Sequence, residues 1–107
     1  MPYPSFEEFG EWIYFRQKVK GDYPHFFIEL SKAHPGLTNH EVMLCSLFLL
    51  GCPTPEIAER MGGKTIDAIL TAKYRLSKKF KLKRGEKLRD HLLQIAAGNY
   101  APPHLNP

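Results

Sequence analysis

Four side chains that donate or accept hydrogen bonds, Thr71, Tyr74, Arg75 and Lys78, lie within one short stretch of the chain. At about 100° of turn per residue, a helix over 66–81 places them on one side. The same turn gathers Ile69, Ala72, Leu76 and Phe80 into a narrow opposite stripe, so one face packs and the other stays open. A guanidinium, an ammonium, a phenol and a hydroxyl presented together suit phosphate oxygens and the edges of bases. Lys64, Thr65, Lys79, Lys81, Lys83 and Arg84 stand at the margins of that face, where phosphates would be held. Some of these residues have two readings. Tyr74 either reaches a ligand or packs on a neighbouring helix, and Lys81, Lys83 and Arg84 either hold phosphate or are simply solvated.

The charge distribution points the same way. Residues 1–62 carry five Lys or Arg against eight Asp or Glu, a balance of −3, whereas residues 63–107 carry ten against three, a balance of +7. A positive field confined to one region is what a surface meeting a polyanion requires. Other chemistry finds little support. Cys45 and Cys52, each flanked by apolar residues, read as core thiols. His25, His34, His40, His91 and His104 fall into no paired spacing of the kind that binds zinc, so neither a metal nor any other cofactor is expected. Nor is an enzyme: no nucleophile stands beside a base, and there is no phosphate loop and no pair of carboxylates in a plausible cleft.

The elements that must position the open face can be read from caps and breakers. At 107 residues the chain has room for one compact core, so a single domain is expected over 1–97. Ser5 to Glu8 has the spacing of a capping box, and Phe6, Phe9, Ile13 and Trp12 then recur at helical intervals, predicting a first helix over about 6–18. After Gly21-Asp22-Tyr23-Pro24, the residues Phe26, Phe27, Leu30 and Ala33 mark a second, ended by His34-Pro35-Gly36. Thr38 and Glu41 form another capping box, ahead of a run from Val42 to Leu50 that is apolar nearly all round and so predicts the most buried helix, closed by Gly51. Thr54 is expected to cap a short helix with Pro55 at its first position and Ile57, Ala58 and Met61 facing inward. A tight Gly62-Gly63-Lys64 turn leads to Thr65, the expected cap of the basic helix. A last helix over about 86–97 turns Leu88, Leu92, Ile95 and Ala96 inward, and residues 98–107 read as a flexible tail. The fold class is therefore all-α, a small bundle of about six helices. No apolar run nears the roughly 18 residues that span a bilayer, and the first residues lack a signal-peptide pattern, so no membrane partner and a cytoplasmic location are expected.

Two helices joined by a short Gly-containing turn, the second carrying basic side chains outward, have the pattern of a helix-turn-helix. Leu37-Thr38, Glu41, the apolar helix ending at Gly51, the run Glu56 to Met61, Thr65 and the basic close Lys78-Lys79-Phe80-Lys81-Leu82 resemble the LuxR/GerE-type helix-turn-helix over about 37–97. Trp12, Phe15, Phe26, Phe27, Leu30, Pro35 to Thr38, Leu44-Cys45 and Ala72 to Leu76 extend the likeness. They resemble a variant found at the C-terminus of some bacterial tetratricopeptide-repeat transcriptional regulators. The resemblance implies a helical scaffold over 6–36, a DNA-binding module over 37–97 with double-stranded DNA as partner, and a homodimer paired through Leu88, Leu92, Leu93 and Ile95.

The chain departs from that pattern in places. The Gly62-Gly63-Lys64 turn is one residue short, Ser77 stands where closer relatives often carry a basic residue, and Asp67 sits at the exposed start of the basic helix. Asp67 either complements the helix dipole or accepts a hydrogen bond from cytosine; Leu70 either meets a thymine methyl or packs. The short turn, Asp67 and the modest net charge of +4 keep open an alternative, a protein-interaction module that retains the fold without binding DNA.

Overall fold

The computed structural model describes residues 10–98. It contains α1 (Gly10–Asp22), α2 (Phe26–Ala33), α3 (Asn39–Leu49), α4 (Thr54–Arg60), α5 (Ile66–Lys79) and α6 (Leu88–Ala96), with no strand among the described residues. The capping box of Ser5 to Glu8, with Phe6 and Phe9, and the tail from residue 99 lie outside them.

Helix α3 is the centre of the bundle, packed against α1 and α6. Its start is fixed reciprocally: Glu41 N donates to Thr38 Oγ1 at 3.1 Å, and Thr38 N donates to Glu41 Oε1 at 3.0 Å. The six residues from Leu44 to Leu49 are then all buried. Ser46, the polar member of that run, returns its hydroxyl to Val42 O at 2.9 Å, so its burial leaves no orphan donor. At the other end Gly51 takes φ +80°, which lets Gly51 N reach Phe48 O at 3.0 Å and Cys52 N reach Leu47 O at 3.1 Å. That is the paired closure of a Schellman turn. Arg89 of α6 lies against the turn and donates from Nε to Leu49 O at 3.1 Å. One of the last carbonyls of the central helix is thus satisfied from another element.

The flanking helices correct several expectations. Helix α1 runs four residues past Lys18, to Asp22, and its inward residues are Phe15 and Val19, whereas Ile13 is half exposed. Helix α4 begins at Thr54 with Pro53 as the residue before it and no side-chain cap, so Thr54 is inside the helix and does not close its end. Helix α5 stops at Lys79, and α6 starts at Leu88, because Glu86 accepts from Lys83 N in a separate turn. Ile57, Ala58 and Met61 are buried as the apolar spacing requires.

One apolar cluster draws on all six helices. Leu88, Leu92 and Ile95, implied by resemblance to pair two copies, are 1%, 0% and 1% exposed within this cluster. An amphipathic helix has a single apolar stripe, and here the contacts of α6 with α2 and α3 occupy it. Of the four residues implied, only the half-buried Leu93 retains surface. No helix among the described residues is long and apolar enough to cross a membrane.

Candidate nucleic-acid interface

The turn between α4 and α5 sets the angle at which α5 leaves the bundle. Gly62 and Gly63 have φ of +92° and +76°, a left-handed pair that residues with a Cβ adopt only at a cost. The turn is tied back where Lys64 N donates to Ala58 O at 2.9 Å. Thr65 then accepts from Ala68 N at 3.0 Å and starts α5 where the sequence predicts.

Helix α5 has a buried side and an open one. Ile69, Leu76 and Phe80 are 3%, 2% and 3% exposed, Ala72 is half-buried, and the helix rests on α4 and α6. Thr71, Tyr74, Arg75 and Lys78 are all exposed on the opposite side, as their spacing predicts. Lys78 Nζ sits 5.5 Å from the centre of the Tyr74 ring, a cation over an aromatic face. Tyr74 is 61% exposed, so it does not pack on a neighbouring helix. Lys64 and Thr65 are exposed at the N-terminal end of this face, and Lys81 at the other.

Lys79 is placed apart from these residues. Its ammonium lies 2.9 Å from Glu41 Oε1, joining the end of α5 to the start of α3. Partial burial pushes the Glu41 carboxyl up, but the Thr38 N–H and then Lys79 outweigh it and hold the group below its ordinary value. Lys73, not singled out in the sequence, also turns back, its Nζ 5.9 Å from the Phe48 ring centre. Two of the four cations on α5 therefore brace it against α3, while Arg75 and Lys78 stand on the open face.

The end of α5 is held by two histidines that sequence reasoning did not pair. The His34 ring stacks on Phe80 with centroids 4.0 Å apart, and His34 Nε2 lies 3.0 Å from His91 Nε2. A hydrogen bond at that distance needs one ring to donate and the other to accept. Burial, and then the nearby His91, lower the His34 imidazole from 6.5 to about 4; burial lowers His91 as well. Both rings are thus neutral near pH 7. Among the described residues, no three His, Cys, Asp or Glu side chains gather where a metal ion could be held. Cys45 and Cys52 are both free thiols.

No protein family, curated protein or solved structure matches the chain.

Proposed function

We propose that this chain is a DNA-binding domain of a transcriptional regulator, in which α4 and α5 form a helix-turn-helix and α5 lies in the major groove of duplex DNA. The observation that carries this reading is the joint presentation of Thr71, Tyr74, Arg75 and Lys78 on the one face of α5 that the bundle does not cover. A helix with its side chains is about 10–12 Å across, and the major groove is about 12 Å wide, so such a face enters as a unit. The guanidinium of Arg75 suits the O6 and N7 acceptors of guanine, and the ammonium groups of Lys64, Lys78 and Lys81 suit phosphates. The resemblance to LuxR/GerE-type domains, drawn from residues along most of the chain, supports the same assignment.

The test is fluorescence anisotropy of a labelled generic duplex at low and moderate salt. Wild-type protein is expected to bind with an affinity that falls steeply as salt rises, because each neutralised phosphate releases counterions. The double variant Arg75→Ala, Lys78→Ala is expected to lose roughly ten-fold or more and to show a shallower salt slope. A folded protein that ignores duplex even at low salt would sink the proposal. That outcome would favour the protein-interaction alternative, to which the exposed apolar side chains of α5 lend a specific observation.

A further inference from the structure

The open face of α5 has two unlike halves. From Ile66 to Thr71 it carries no Lys or Arg and one acid, Asp67; from Tyr74 to Lys78 it carries Arg75 and Lys78. The first half is also where large apolar side chains stand in solvent: Ile66 and Leu70 are each 47% exposed, and Tyr74 follows at 61%. These three are spaced four residues apart, so they form one continuous ridge along the helix rather than isolated surface residues. Thr71 is exposed beside the ridge and adds a further methyl group.

In a helix-turn-helix the first residues of the recognition helix meet the base edges, and cations further along hold the backbone. The apolar feature displayed in the major groove is the C5 methyl group of thymine. We infer that Ile66 and Leu70 are specificity-determining residues whose side chains cover thymine methyls, so that the preferred site is built on thymines under the first two turns of α5. The inference rests on the proposed function, since it needs α5 in the groove. Asp67 fits the same arrangement: its carboxylate repels phosphate and opposes the tendency of a helix N-terminus to sit on the backbone, leaving that end of α5 over the bases. The continuity of the ridge with Arg75 and Lys78 selects a polyanion that also offers apolar groups, and duplex DNA offers both.

The experiment starts from a randomised duplex pool enriched with the 107-residue protein. Each thymine of the enriched site is then replaced, one at a time, by uracil, which lacks only the methyl, and binding is measured by anisotropy. At one or more positions uracil is expected to weaken binding about four-fold, the worth of one buried methyl. Leu70→Ala or Ile66→Ala is expected to abolish that difference at its own position while leaving the salt slope unchanged. Both side chains are half exposed, and circular dichroism checks that the variants fold. Salt-dependent binding to an enriched site that lacks thymine, that treats thymine and uracil alike, or whose discrimination survives in both variants overturns this inference and leaves the proposed function standing. A folded wild-type protein that binds no duplex overturns both and assigns the ridge to a protein partner.

Discussion

Helices α3 and α5 have similar ends and different interiors. Each starts at a threonine whose hydroxyl accepts from a backbone N–H three residues on, Glu41 N at 3.1 Å and Ala68 N at 3.0 Å. Each closes in a Schellman turn, with Cys52 N on Leu47 O at 3.1 Å and Leu82 N on Ser77 O at 3.0 Å. Between those ends α3 buries six residues in succession, whereas α5 buries Ile69 and Leu76 alone. Caps decide where a helix begins and stops; the width of its apolar face decides whether it becomes core or surface. In this molecule α3 is the core, and α5 rests on α4 and α6 and reaches α3 through Lys79 and Lys73.

If the comparison holds, equal truncations should have very unequal costs. Leu47→Ala, at a site 0% exposed, is expected to destabilise the fold by about 2–5 kcal/mol in denaturant titrations, and Leu70→Ala by less than about 0.5 kcal/mol. Similar losses in the two variants would show that α5 is as much a part of the core as α3.

A smaller effect tests how the end of α5 is held. His34 and His91 have lowered values in the folded protein, so the unfolded chain binds protons that the folded one resists. The stability from this pair is fully present above about pH 6.5 and is lost as the pH falls toward the folded value of His34, about 4. With the partial exposure of the rings discounted, the loss by pH 5 is on the order of 1 kcal/mol. Urea midpoints measured from pH 7 to 5 should fall accordingly, and the fall should flatten in His34→Gln. A midpoint independent of pH over that range would mean that the pair does not bear on folding.

The smallest effect lies in the residues that close the two helices. Gly51 and Lys81 occupy the same left-handed position, with φ of +80° and +56°, and Lys81 is the non-glycine residue with positive φ among those described. Lys81→Gly is expected to raise stability by a few tenths to about 1 kcal/mol. On the proposed function it also lowers duplex affinity and reduces the salt slope by about 1. Gly51→Ala should instead destabilise through its left-handed φ, since a Cβ there meets the Arg89 side chain only at ordinary contact distance, 3.4 Å from Nε. A Lys81→Gly variant that is no more stable and binds duplex as before would remove the distinction between the two ends.

Much of this architecture was legible in the sequence because it is local. Thr38 with Glu41, Thr65, Gly51 and the stripe of Ile69, Leu76 and Phe80 announce themselves within a few residues of chain. Where local rules were ambiguous, the reading failed. Trp12, Ile13, Tyr14 and Phe15 are four large apolar or aromatic residues in succession, so periodicity alone does not select Phe15 over Ile13. Pro55 is compatible with either of the first helical positions, which moved the start of α4 by one residue. The contacts that fasten the elements together carry no local signal at all: Glu41 with Lys79, Leu49 with Arg89 and His34 with His91 lie 38, 40 and 57 residues apart. Two of them alter the reading of the candidate interface, since one draws Lys79 toward α3 and the other fixes the end of α5 through Phe80.

Cys45 sits in the middle of the buried run of α3, and burial pushes its thiol up to about 12. The thiolate is the form that attacks an alkylating reagent, and in the native fold this sulfur is shielded and protonated, so it does not react. It becomes reactive when α3 leaves its surroundings, which dismantles the apolar cluster with it. Its labelling rate, read apart from that of the half-buried Cys52, therefore acts as a timer on whole-molecule opening, and on the proposed function duplex bound to α5 should slow that timer without touching the cysteine.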